Sequence, residues 1–312
     1  MYFNKLKGTL IGHALGDALG APHESKYNSK LTYTGKLQYN IRSLSKYQGE
    51  KIYPIGSVTD DTYMTITLAN QLIIDQQYNK NNIILAYEKW ANSYSRLGVN
   101  TRALFKGVKT VRGYQTRYDK QFNKLQEQWT QSNGSLMRCS PLVIFPEYIT
   151  NGEQSPLVED IRLTNPHPIN SEVGIVYMFI LRTLLLNDEL PLYENLLNFI
   201  VNPLILEVID DVKNKRERDI SNKSIKGWVI TALYCGLYAI YNFDNYYIAL
   251  EWIINKKGDT DTNAAVYGAL YGARYGYKYL YELNPDNIDI LLKTNTILQN
   301  IDYIADKLNS LM

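Results

Sequence analysis

Glycines stand four residues apart near both ends of this chain: Gly12, Gly16 and Gly20, then Gly268, Gly272 and Gly276. A four-residue step puts successive positions on one face of a helix. Leu6, Leu10, Ala14 and Leu15 recur beside the first set, and Ala264, Ala265 and Ala273 beside the second. Both stretches therefore read as helices. A stripe without side chains lets two helix backbones approach closely. It equally suits small residues in an ordinary crowded core.

Helical periodicity continues elsewhere. Met64, Leu68, Leu72 and Ile73 mark one helix, residues 173–186 another, and residues 263–277 carry the second glycine set. Residues 227–241 are apolar nearly all round, as a buried central helix requires. Residues 31–40, with Gly35-Lys36 between two short runs, could form a small hairpin and are read as loop. Residues 106–128 and 212–225 are rich in charge and read as solvated. No Pro/Gly/Ser-rich linker and no fixed-period repeat divides the chain. The expectation is one mostly α domain over residues 1–312.

A chain of 312 residues that is 45% hydrophobic can bury a sizeable core. Its 33 basic and 31 acidic residues leave a net charge of +2. That balance gives no sign of nucleic acid as a partner. Cys139 and Cys235 sit in apolar surroundings, not at metal-ligand spacing, and read as buried free thiols. The N-terminal Met1–Lys7 stretch lacks the apolar run of a signal peptide. The apolar stretch from Trp228 to Tyr241 is shorter than the roughly 20 residues of a membrane span. A soluble cytoplasmic protein that does not enter membranes is expected.

Two short runs, Thr59-Asp60-Asp61-Thr62 and Asp259-Thr260-Asp261-Thr262, lie far apart in sequence and each precedes a helical pattern. Taken singly, each is a good helix cap, because Thr and Asp oxygens accept the unpaired N–H groups of a first turn. A cap needs one acceptor, however, and each run offers two aspartates plus threonines. If the fold joins the two helix starts, four carboxylates share a small volume and repel strongly unless protonated or neutralised. Two divalent cations would neutralise them. Hard oxygen ligands suit Mg²⁺, Mn²⁺ or Ca²⁺ and argue against zinc. Such a pair can orient a substrate and activate a water, so the residues point to a binuclear metal hydrolase.

Further motifs stand in order along the chain: Gly12-His13-Ala14-Leu15-Gly16-Asp17 through Pro22-His23-Glu24, and Ser132-Asn133-Gly134-Ser135-Leu136-Met137-Arg138. With the two aspartate runs, they resemble the ADP-ribosylglycohydrolase family over about residues 5–278. The resemblance implies an all-α fold holding two Mg²⁺ ions, or Mn²⁺. It implies hydrolysis of the glycosidic bond between ADP-ribose and a modified side chain, arginine or serine, or a related small-molecule conjugate. It implies Thr59, Asp60, Asp61, Asp259, Asp261 and Thr262 as metal ligands. It gives Glu24, Asp60 and Asp61 the catalytic positioning or deprotonation of water. It makes the Asn133, Gly134, Ser135 and Leu136 loop a diphosphate site. Asp17, within a small-residue helix, reads as structural, and Arg138 as internally paired.

Departures from the family pattern bear on specificity. Many members carry Thr-His where this chain has Thr164-Asn165. Asn165 keeps hydrogen bonding but does not titrate near neutral pH. His167, two residues on, either joins Asn165 in substrate binding or serves a turn. Arg96 stands where members often carry an acid able to grip an arginine leaving group. Lys256-Lys257 before Gly258 is more basic than usual and reads as a phosphate contact or a solvated loop. Two rival functions follow: a non-catalytic ADP-ribose-binding protein, and a hydrolase of a different ADP-ribosyl linkage.

Overall fold

The computed structural model describes residues 2–24, 31–45, 49–94, 97–122, 130–148, 154–222 and 224–312. Fourteen α-helices follow one another along these residues. The first is α1 (Tyr2–Glu24), then α2 (Asp60–Asp75), α3 (Lys80–Ser93), α4 (Val99–Phe105) and α5 (Val111–Phe122). Next come α6 (Pro156–Arg162), α7 (Pro168–Asn187), α8 (Tyr193–Leu196), α9 (Pro203–Lys213) and α10 (Val229–Asn242). The last are α11 (Tyr246–Lys256), α12 (Thr260–Leu283), α13 (Pro285–Thr294) and α14 (Ile301–Leu311). Strands are confined, among the described residues, to one antiparallel hairpin of β1 (Asn40–Ser45) and β2 (Gly49–Tyr53). The expected all-α class holds, and residues 31–39 are loop, with the hairpin starting one step later.

The two glycine stripes meet. α1 and α12 run antiparallel, so that Gly8, Gly12, Gly16 and Gly20 face Gly272, Gly268, Ala264 and Thr260 in turn. A Cβ on Gly12 would lie 2.2 Å from the Gly268 carbonyl oxygen, and one on Gly16 would lie 2.1 Å from that of Ala264. No side-chain rotation relieves a clash with backbone, so the alternative of small residues in an ordinary core is set aside. Close antiparallel packing has a positional consequence: the C-terminal end of α1 must lie against the N-terminal start of α12. Glu24 and the second aspartate run are brought together by this pairing.

α10 is buried from Val229 to Ile240 and fills the centre, as its all-round apolarity predicts. α7 reaches the length and hydropathy of a membrane span, but 67% of its most apolar window is buried inside the fold. Core packing accounts for its composition. Cys139 and Cys235 are both buried free thiols, and burial raises each above the ordinary thiol range. The charged stretches behave as expected where they are described: α5 buries only Tyr114, and 213–219 is largely exposed. Residues 123–128 of the first stretch, and Arg96, lie outside the described residues.

Candidate functional site

α1 acts as a spine from which both aspartate runs hang. Asp17, fully buried, accepts hydrogen bonds through one oxygen from the Thr59 N–H at 2.9 Å, the Thr62 N–H at 3.2 Å and the Thr62 hydroxyl at 2.6 Å. The first turn of α2 is thus fixed to α1. Thr59 is the N-cap of α2 and its hydroxyl accepts from the Asp61 N–H. The capping expectation is therefore met in the first run by Thr59, which leaves both aspartates for other work. Thr59 also donates to Asp61 Oδ2 at 3.0 Å. The Gly98 N–H donates to Asp60 Oδ2 at 2.8 Å and orients it from the start of α4.

The second run differs. Asp259 occupies the N-cap position of α12 but its side chain makes no cap hydrogen bond. Instead Asp259 Oδ2 accepts from the Asn133 side-chain amide at 2.8 Å. The Thr260 hydroxyl donates to the Gly20 carbonyl at 2.9 Å, tying the start of α12 to α1. One Asp261 oxygen accepts the Thr262 N–H at 3.1 Å.

These constraints gather the acids. One carboxylate oxygen from each of Glu24, Asp259 and Asp261 lies within 4.8 Å of the others. Burial raises the Asp61 carboxyl well above the ordinary range, and Asp17, Asp261, Asp60 and Asp259 push it further in the same direction. Burial and then Glu24 raise Asp259 likewise. Both shifts have the sign that crowded like charges predict. Asp61 Oδ1 is buried and has no hydrogen-bond partner. A buried carboxylate oxygen left bare beside other acids is a costly arrangement, and a cation would relieve it. The donors are carboxylate and hydroxyl oxygens, which fits Mg²⁺ or Mn²⁺.

Opposite the acids stands Lys226, whose Nζ lies 2.9 Å from Glu24 Oε1. Burial alone would lower this ammonium, but Glu24, Asp259 and Asp261 hold it above its ordinary range. Nothing in the sequence marks Lys226, which falls between the charged 212–225 stretch and the apolar 227–241 stretch, as a contact of a residue 202 positions away.

The loop over residues 130–138 is held from below. Arg138 is fully buried. It donates from Nε to Asp160 at 3.0 Å and from its terminal nitrogens to the Gly134 carbonyl, the Thr164 hydroxyl and the Asp160 carbonyl. Its internal pairing was expected. Asn165, also fully buried, donates to the Ser132 carbonyl at 2.9 Å and the Ser132 hydroxyl at 2.8 Å. Asn170 donates to the same carbonyl at 2.7 Å and reaches Ser135 Oγ at 3.4 Å. The Asn133 N–H donates to the Gly227 carbonyl at 2.8 Å. Asn133, Ser135 and Leu136 are buried, while Gly134 is half-buried. His167 caps α7 by accepting the Ile169 N–H on Nδ1, and its Nε2 lies 3.3 Å from the Gln131 amide. The structure thus brings Glu24, Asp60, Asp61, Asp259, Asp261 and Asn133 together. It sets Asn165 beneath the loop as a brace and His167 at the start of α7. Lys256 pairs with Glu217 at 2.6 Å.

The model for ADP-ribosylglycohydrolase matches residues 1–312. ADP-ribosylarginine hydrolase Tri1 of Pseudomonas putida (strain GB-1) is 24% identical over 283 residues, covering 85% of this chain and 69% of that protein. ADP-ribosylarginine hydrolase Tri1 of Serratia proteamaculans (strain 568) is 26% identical over 275 residues, covering 85% and 70%. A solved chain described as an ADP-ribosylglycohydrolase-related protein complex has a TM-score of 0.68 and 23% identity, covering 99% of this chain and 98% of its own, which shows a shared fold. With a match that runs from end to end, and with both aspartate runs meeting where α1 and α12 close on each other, this chain belongs to the ADP-ribosylglycohydrolase family.

Proposed function

We propose that this protein is a metal-dependent hydrolase that cleaves the glycosidic bond joining ADP-ribose to a modified arginine side chain. The convergence of Glu24, Asp60, Asp61, Asp259 and Asp261, with a bare buried oxygen on Asp61, carries this reading. The names of the two Tri1 relatives support arginine as the modified residue. Thr59, Asp60, Asp61, Asp259, Asp261 and Thr262 would hold two Mg²⁺ or Mn²⁺ ions. When bound, such ions lower the pKa of water and orient substrate hydroxyls.

The chain's own residues do the rest. Asp17 and the Gly98 N–H fix the first turn of α2, so that Asp60 and Asp61 are presented without searching rotamers. Glu24, Asp60 or Asp61 takes the proton of the attacking water. Attack at the anomeric carbon breaks its C–N bond to the charged guanidinium, which leaves as neutral guanidine, through an oxocarbenium-like state whose positive charge the surrounding carboxylates stabilise. The Asn133–Leu136 loop, braced by Arg138 and Asn165, offers backbone N–H groups to the diphosphate. Asn133 couples that loop to Asp259. Substrate engagement and the acidic group are thereby in register.

The test is release of free ADP-ribose from arginine-linked and serine-linked ADP-ribosyl peptides, with Mg²⁺ and with EDTA. Magnesium-dependent release from the arginine peptide is expected. Asp61→Asn should lower it by roughly a hundredfold or more, the scale of a positioned general base. Undiminished release in EDTA would sink the metal-dependent reading. Tight ADP-ribose binding without turnover would replace hydrolysis with a binding role.

A further inference from the structure

Lys226 is the ammonium that, among the described residues, ion-pairs to the Glu24, Asp259 and Asp261 group. Its partner Glu24 has a side chain only 16% exposed and stands at the end of α1, beside the start of α12. A lysine aimed at three crowded acids is a strange surface pair, because exposed pairs rarely order both partners. Its placement has a structural cause of its own. Gly227 has φ +74, and a Cβ there would lie 3.4 Å from Asp259 Oδ2. The Gly227 carbonyl is held by the Asn133 N–H. The Trp228 indole donates to Gln131 at 2.9 Å, and the Thr231 hydroxyl donates to the Ile225 carbonyl at 3.2 Å. The backbone around Lys226 is therefore pinned against the acids without help from the lysine side chain.

We propose that Lys226 is a tethered counter-cation of the metal site, balancing Glu24, Asp259 and Asp261 in the metal-free protein and opposing the entry of a divalent cation at Asp259 and Asp261. This rests on the metal-site reading given above. The physical basis is direct. A unit positive charge fixed near the ligands stabilises the acidic group without metal and repels an incoming M²⁺. Metal bound at Asp259 and Asp261 then sits against the charge of an ammonium held by Glu24 next to them. The lysine sets the metal concentration at which the site fills, and it keeps the empty site from unfolding under its own repulsion.

The experiment is calorimetric titration of Mn²⁺ into the wild type, Lys226→Met and Lys226→Arg, at about 0.05 and 0.5 M KCl, with melting curves of each in EDTA. Lys226→Met is expected to bind Mn²⁺ about tenfold more tightly than wild type at low salt, with the difference shrinking at high salt as screening grows. Its metal-free form should melt below the wild type, and its Mn²⁺-induced rise in melting temperature should exceed the wild type's. Lys226→Arg, which keeps the charge, should stay close to wild type. A purely structural lysine would lower metal-free and metal-bound stability together and leave Mn²⁺ affinity unchanged, and that result overturns the proposal. If folded wild type takes up no Mn²⁺ at all, the metal-site reading itself fails and this inference falls with it. Wild-type binding with an unchanged Lys226→Met affinity fails the lysine's role alone.

Discussion

Asp17 of α1 accepts the Thr62 hydroxyl of α2 at 2.6 Å, and the same carboxylate oxygen takes the Thr59 and Thr62 N–H groups. One buried acid thus serves as an external N-cap for the helix that carries Asp60 and Asp61. Its negative charge also suits the positive end of that helix.

Asp17→Asn keeps an acceptor and loses the charge, so it should cost about 2 kcal/mol, the scale of a charge-assisted bond. Asp17→Ala leaves three buried donors unanswered and should cost about 4 kcal/mol, with losses at shared partners adding only in part. Urea unfolding in EDTA reads both. The same variants should weaken Mn²⁺ binding, because Asp60 and Asp61 lose their fixed presentation. Unchanged stability in Asp17→Ala would mean that α2 is positioned by packing alone.

What could be read in advance follows from the reach of each signal. Periodic signals such as the α1 and α12 stripes and the apolar α10 are local, and they mark elements well. The aspartate runs were legible because chemistry repeats itself in both, although they meet only through α1, where Asp17 holds the first run and Gly20 packs against Thr260 of the second. Lys226 and the Asn133–Asp259 bond depend on tertiary approach between segments with no shared pattern. Asn165 shows the same limit of reach. Its motif position suggests contact with substrate, and its bonds to Ser132 beneath the loop come only from the tertiary fold.

Gly16→Ala tests the helix pairing that positions the site. The added methyl would meet the Ala264 carbonyl oxygen at 2.1 Å and its carbon at 2.6 Å, so α1 and α12 must separate. Overpacking against backbone should cost on the order of 3 kcal/mol, or about 6 °C in a chain of this size. Glu24 would also move relative to Asp261, so Mn²⁺ affinity should fall with stability. Gly134→Ala is the control, since a Cβ there has 3.7 Å to its nearest neighbour, Asn165 Oδ1.

Asp61→Asn should separate stability from function. In the metal-free protein Asp61 carries a bare buried oxygen and four acidic neighbours. Its carboxyl is raised in the folded state, so the unfolded chain ionises first as pH rises and the fold is penalised above the ordinary carboxylate range. Neutralising it should therefore raise the melting temperature in EDTA by about 2–5 °C at pH 7.5, as removal of functional strain does elsewhere. Mg²⁺ should raise the wild-type melting temperature in a concentration-dependent way and leave this variant nearly unmoved. A variant less stable than wild type in EDTA would show that Asp61 is a net structural asset.

His13 gives the chain a pH dependence of its own. It is 1% exposed on α1, with Nε2 3.2 Å from the Thr65 hydroxyl. Burial lowers its pKa to about 4, against a smaller upward pull from the Asp61 carbonyl. The unfolded chain takes up this proton near the ordinary histidine value and the folded chain only near 4, so the unfolded state binds more protons in between. Stability from His13 is then fully present above about pH 6.5 and is lost as pH falls toward 4. The loss should reach on the order of 3 kcal/mol at the acid end of that window. Asp61 and Asp259 titrate with the opposite sign, since raised carboxyls favour the fold as they take up protons. The measurement is therefore a difference: urea unfolding of wild type and His13→Gln in EDTA from pH 7 to 4, where the acids contribute equally to both. The wild type should lose stability relative to the variant by that amount across the window. A flat difference would mean that His13 takes up its proton at the same pH in the folded and unfolded chains.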